Sequence, residues 1–182
     1  MRSTFPALVS LLLATSAGAL AQDHSDANGG LVRNALRAAP TSVTAHATVA
    51  DFQGNVLRPG TNGWVCMPDM PEMPNDSPMC LDATWREVID AWMHRRAPDY
   101  HGTGIGYMLI GDMPVSNLDP FATAPAPGNE WLADGEPHIM IAISDKSMLD
   151  GLPTDPNNGG PWVMWRGTPY AHIMIPMDPP TR

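Results

Sequence analysis

Proline limits what this chain can fold into more than any other residue. It occurs 20 times in 182 residues. Each ring removes a backbone donor and clashes with the preceding turn of a helix, so proline is excluded from helix interiors and from the middle of sheets. The chain is therefore cut into short pieces. From Val43 onward those pieces are runs of β-branched and aliphatic residues separated by Pro, Gly, Asn and Asp, the pattern of strands and turns. The predicted strands are 43–50, 54–58, 63–67, 104–111, 137–144, 161–166 and 170–177, with long loops at 68–81 and 112–136.

One interval escapes the prolines. Over 84–96, Trp85, Val88, Ile89, Trp92 and Met93 recur at i, i+3, i+4, i+7 and i+8, one face of an α-helix. Asp82 or Thr84 can cap its start, Thr84-Trp85-Arg86-Glu87 has the capping-box form, and Pro98 ends it. Arg86, Asp90 and His94 line the opposite face as a solvated ion-pair ladder. The expected fold is mainly β or α+β: an antiparallel sheet, or a sandwich or barrel, of about seven strands with one amphipathic helix.

The first 21 residues read as an address. Met1-Arg2 is a short positive region, Ala7 to Ala14 is apolar, and Ala19-Leu20-Ala21 has the A-x-A form of a signal-peptidase site. Residues 1–21 are thus expected to be a signal peptide, 22–41 a flexible N-terminal arm with a short helix around Leu31 to Leu36, and 42–182 a single globular domain. The expected location is periplasmic or secreted, with no transmembrane segment in the mature chain. Charge excludes one class of partner. The net charge is −9 and Lys146 is the only lysine, so no basic patch is available to neutralise nucleic-acid phosphates.

An oxidising compartment makes the two cysteines readable. Cys66 and Cys80 are expected to form a disulfide, because their spacing matches neither CxxC nor a zinc pattern.

The most informative motif is an echo. Pro137-His138-Ile139-Met140-Ile141 and Ala171-His172-Ile173-Met174-Ile175 repeat H-I-M-I in two strands. Strand alternation puts Ile139, Ile141 and Ile143 on one face and His138 and Met140 on the other; it likewise separates Ile173 and Ile175 from His172 and Met174. His46 stands in the same relation to Val43, Ala45, Ala47 and Val49. With Gly167-Thr168-Pro169 as a hairpin turn, and 137–144 on the far side of 161–166, His138 and His172 are expected at the same end, about 10 Å apart across one strand. Trp165 or Arg166 would then stand between them.

Imidazole and thioether together suit copper, since soft sulfur favours Cu(I) and histidine binds either oxidation state. The candidate metal ligands are His46, His138, Met140, His172 and Met174. Two lesser features point the same way. Cleavage after Ala21 would expose Gln22-Asp23-His24, whose third-position histidine suits Cu(II), and Met67-Pro68-Asp69-Met70-Pro71-Glu72-Met73-Pro74 repeats methionine every third residue. Polyproline II geometry would space those methionines about 9 Å apart, too far to share one ion.

A second reading needs no metal. Six tryptophans against three phenylalanines is an unusual balance, and Trp64, Trp131, Trp162 and Trp165 lie in or near loop-rich stretches. A binding module or enzyme with an aromatic pocket around Trp162, Trp165, Tyr170 and His172 would take a small organic molecule. The bland alternative is that Trp85 and Trp92 fill the helix–sheet interface and the other indoles anchor loops. Familiar catalytic patterns are missing: there is no GxSxG and no HExxH, and no strand precedes Gly102-Thr103-Gly104-Ile105-Gly106 as a dinucleotide site requires. Asp155-Pro156-Asn157-Asn158-Gly159-Gly160 begins like a calcium loop but places Arg166 where a glutamate is needed.

Four segments also carry a resemblance: Gly63-Trp64-Val65-Cys66-Met67-Pro68-Asp69, Asn75-Asp76-Ser77-Pro78-Met79-Cys80, Ser116-Asn117-Leu118-Asp119-Pro120, and Gly160 through His172. Together they resemble an uncharacterised family of exported bacterial proteins of unassigned function, over about residues 43 to 177. The resemblance implies an exported single domain and carries no substrate, cofactor or catalytic residue with it.

Overall fold

The structure is a computed structural model, and it describes residues 28–70 and 74–177. The expected signal peptide, the Gln22-Asp23-His24 motif and the middle of the methionine repeat lie outside the described residues.

The chain runs α1 (28–35), α2 (Thr41–Thr44), β1 (Thr48–Ala50), β2 (Val56–Arg58), β3 (Val65–Met67), β4 (Met79–Leu81), α3 (Ala83–Met93), β5 (Thr103–Met108), β6 (Val115–Ser116), β7 (Trp131–Leu132), β8 (His138–Ile143), a 3₁₀ turn (Lys146–Leu149), β9 (Trp162–Met164) and β10 (His172–Pro176). Eight strands form one open sheet in the order β2-β1-β3-β4-β5-β8-β10-β9, and β6 and β7 form a separate two-stranded ribbon. Neighbours in the large sheet are antiparallel except β1 and β3. The β-rich expectation holds in this coarser form. The large sheet does not close into a barrel, and its free edges are β2 and β9.

Helix α3 covers one face. Asp82 caps it by accepting from Trp85 N at 2.8 Å, while its second carboxylate oxygen accepts from Ile105 N at 2.7 Å, so a single side chain both starts the helix and fastens it to β5. Trp85, Val88 and Ala91 are buried, Ile89 and Trp92 half-buried, and Met93, expected on the inner face, is exposed. The outer ladder also differs from expectation. Asp90 and Glu87 both pair with Arg96, which follows the helix, and His94 Nδ1 lies 3.3 Å from Asp90. The close approach of helix to sheet depends on Gly104, where a Cβ would fall 2.7 Å from Thr84 Cγ2 and 2.8 Å from Thr84 Cβ. Gly104→Ala is expected to destabilise the protein by about 1–3 kcal/mol through this overlap, read as a lower urea midpoint with an unchanged m-value.

The opposite face is covered at one end by α1. Residues 28–39, expected within a flexible arm, instead pack on the sheet: Ala35 and Ala38 are fully buried with Val49, Cys66 and Cys80. Alanine at these positions lets the backbone approach closely, so that Leu109 N donates to Ala38 O at 3.0 Å. Asn34 accepts from Asp69 N at 2.7 Å and donates to Asp76 at 2.9 Å, and Arg37 pairs with Asp76. These contacts hold both ends of the loop closed by the Cys66–Cys80 disulfide, whose cysteines face each other on β3 and β4. A loop of about 15 residues closed this way contributes about 3 kcal/mol by restricting the unfolded chain.

Other differences have local causes. The first half of the expected strand 43–50 is the helical turn α2, because the Pro40 carbonyl accepts from both Val43 N and Thr44 N. Strand β4 lies inside the expected loop 68–81, and the two-residue strands β6 and β7 lie inside 112–136, too short to show a period.

Two corrections bear on the site. First, β10 stands directly between β8 and β9 and runs antiparallel to β8, with His172 opposite Ala142 and Pro176 opposite His138. The expected hairpin from β9 to β10 is present, but His138 and His172 sit at opposite ends of neighbouring strands, about 13 Å apart along the strand direction. Second, the His/Met face is the core face. His138, Met140, Ala142, His172 and Met174 are buried, while Ile139, Ile141, Ile143, Ile173 and Ile175 are half-buried. Helix α3, Trp162 on β9 and Trp165 just after it cover the thioethers and imidazoles, and each imidazole enters with one nitrogen bonded to a backbone carbonyl.

Candidate functional site

His138 opens β8 and is only 2% exposed. Its Nδ1 lies 2.7 Å from Glu136 O. A carbonyl accepts, so Nδ1 carries the proton, and in the neutral ring Nε2 presents a lone pair. Among the described residues that nitrogen has no hydrogen-bond partner. The nearest charged group is Asp112, whose Oδ2 is 3.8 Å away, beyond hydrogen-bond length.

Asp112 is placed by a short backbone bridge. Its N–H donates to Gly135 O at 3.1 Å, and a Cβ on Gly135 would fall 2.2 Å from Asp112 Cβ, so glycine is required opposite it. Asp112 Oδ1 accepts from Met113 N at 2.7 Å, leaving Oδ2 turned toward the imidazole. Burial pushes this carboxyl above the usual range, against the opposing effects of His138 and the Met113 N–H.

Both groups line a cleft of about 210 Å³, walled by Trp162, Met174, Val115 and Leu132, with Asp134, Glu136 and Asn157 also lining it. Trp162 is held in position by its Nε1–H, which donates to Asn117 Oδ1 at 3.1 Å. Asn117 is fully buried; its amide donates to Glu130 at 2.8 Å and to Thr154 O at 3.0 Å, tying three loops behind the indole. The cleft is thus acidic, with one aromatic and one thioether wall, an unpartnered imidazole nitrogen and a partly exposed carboxylate.

The five residues proposed as metal ligands are not brought together. His46 is exposed in the turn before β1, four strand spacings or about 19 Å from β8 across the sheet. His172 is packed edge-on between Trp85 and Trp165, with ring centroids at 4.9 and 5.1 Å. Its Nδ1 donates to Tyr170 O, and burial pulls its pKa down to about 4. Met140 and Met174 face each other on β8 and β10, and of the five only His138 and Met174 line the cleft. Among the described residues no three His, Cys, Asp or Glu side chains gather into a metal-binding group.

The aromatic residues divide similarly. Trp165, Tyr170 and His172 fill the core: Trp165 Nε1–H donates to Ser116 O at 2.8 Å, and Tyr170 OH to Arg96 O at 2.8 Å. Trp162 alone of that set borders the cleft. Trp64 packs against Tyr107 at 5.5 Å between centroids.

Sequence reasoning missed Asp112 and Asn117. Asp112 begins the loop 112–136 and His138 follows its end, so one excursion of the chain returns beside its own start. Gly111-Asp112 and Asp134-Gly135 are turn-forming pairs, and they were the available hint.

No protein-family model, curated protein or solved structure matches this chain. Among the described residues, no helix is long and apolar enough to cross a membrane.

Proposed function

We propose that this chain is an exported binding protein whose cleft receives a small cation. The observation that carries the reading is the buried His138 Nε2, which has no hydrogen-bond partner among the described residues, with the partly exposed Asp112 carboxylate 3.8 Å away in the same cleft. An unsatisfied buried nitrogen is costly, and a cation or a donating group seated between it and the Asp112 carboxylate relieves that cost. The lining supports the same ligand class. Asp134 and Glu136 add negative charge, the Trp162 indole borders the cleft, and the net charge of −9 draws cations toward the surface. Export rests on residues 1–21, read as a signal peptide.

A melting-temperature screen tests the reading. A panel of small organic ammonium ions and divalent metal ions is expected to include ligands that stabilise the protein, by about 2.7 kcal/mol at a hundredfold excess over Kd, while anions of similar size do not. His138→Gln and Asp112→Asn should each clearly reduce the shift. No stabilisation by any cation, or a shift that survives both substitutions, contradicts the proposal.

A further inference from the structure

Resting on that reading, we propose that the cation is copper, held by His138 Nε2, the Asp112 carboxylate and the Met174 thioether. The span between the donors fits a shared ion. Two bonds of about 2.0–2.1 Å to a common ion bridge donors up to about 4 Å apart. The 3.8 Å between His138 Nε2 and Asp112 Oδ2 lies within that span, at a wide angle at the ion, and is too long for a direct hydrogen bond.

The Nδ1–H bond to Glu136 O fixes the tautomer that leaves Nε2 free to ligate, and the Met113 N–H fixes the carboxylate. Outer partners of this kind hold metal-ligating imidazoles and carboxylates in position.

Pro176 lies opposite His138, so Met174 is its diagonal neighbour on the same sheet face, with Cβ atoms about 7 Å apart or less. Both side chains border the one cleft. A neutral imidazole, a thioether and a carboxylate make a mixed donor set. Calcium and magnesium prefer oxygen ligands alone, whereas Cu(I) is served by the nitrogen and sulfur and Cu(II) by the nitrogen and oxygen. The cleft leaves further positions on the ion open to water or a small molecule.

The test uses the full chain purified without a tag, titrated with Cu(II) alone and with Cu(I) in competition with a chromogenic chelator. One equivalent of copper is expected. His138→Gln should weaken both oxidation states about 10–100-fold. Met174→Leu keeps the buried volume and should weaken Cu(I) at least about tenfold more than Cu(II); Asp112→Asn should do the reverse. The melting temperature of each metal-free variant establishes that it is folded.

Copper bound equally well by the wild type and by both His138→Gln and Met174→Leu overturns the placement. Absence of copper binding, with a His138-dependent shift by an organic ammonium ion, overturns the copper assignment and leaves the cation cleft standing. Absence of binding by copper and by every other cation in the panel overturns the two proposals together.

Discussion

Replacing Trp85 by alanine is expected to cost about 3–5 kcal/mol, against a total stability of about 5–15 kcal/mol for a domain of this kind. The indole is 1% exposed and spans from α3 to the central strands. It lies edge-on to His172 at 4.9 Å, and its Nε1–H donates to the Met140 carbonyl at 3.0 Å. Truncation therefore leaves a cavity between helix and sheet and removes the bond made by a β8 carbonyl. Equilibrium urea unfolding measures the effect. Trp85→Phe keeps most of the volume and is expected to lose about 1–2 kcal/mol, chiefly the hydrogen bond. A loss below about 1 kcal/mol in the alanine variant would contradict the packing described here.

Acid is expected to weaken the protein by a comparable amount through His172. Burial holds its pKa at about 4 against an ordinary value of 6.5; nearby His138 and Lys146 push the same way, and the Tyr170 carbonyl opposes them. Between pH 6.5 and 4 the unfolded chain binds a proton at this site that the folded chain refuses. Stability from His172 is thus complete above pH 6.5 and falls as pH drops toward 4, by about 3 kcal/mol. Asp112 acts with the opposite sign, since its raised pKa lets the folded state take up a proton first. Glu87, held down to about 2 by Arg96, adds acid sensitivity only below the ordinary carboxylate range. The measurement is the urea midpoint at pH 7 and pH 4.5 for the wild type and for His172→Gln. The variant is expected to lose most of the pH dependence in that window, and an equal dependence in both proteins would contradict the assignment.

Much of the fold was legible because it is written in local chemistry. The helix over 84–96 could be read from the spacing of Trp85, Val88 and Trp92 and from Asp82 before them, and the structure places α3 at Ala83–Met93 with Asp82 as its cap. The disulfide followed from cysteine number and spacing. The H-I-M-I echo correctly separated two faces of β8 and β10, yet the more buried face is the one bearing His and Met. Alternation alone does not say which face is the interior. What decided the matter was the position of α3, which lies more than 40 residues before β8 and more than 75 before β10, with Trp162 and Trp165 packed on the same face.

Strand order was the other missing quantity. Placing β9 between β8 and β10 brought His138 and His172 to one end; placing β10 there separates them and makes Met174 the neighbour of His138. Asp112 reached the site through a backbone bridge to Gly135, which no periodicity announces. The candidate ligands His138 and Met174 were thus named from sequence, while their companion was set by topology.

The central claim is that His138 Nε2 is an unprotonated acceptor waiting for a cation. Ring-nitrogen NMR of the ¹⁵N-histidine-labelled protein at neutral pH tests it most directly. The account predicts Nδ1 protonated and Nε2 bare in the free protein, with the His138 ring nitrogens the first among the histidines to shift or broaden as Cu(II) is added up to one equivalent. A proton found on Nε2 in the free state, or a copper response confined to other histidines, would contradict it.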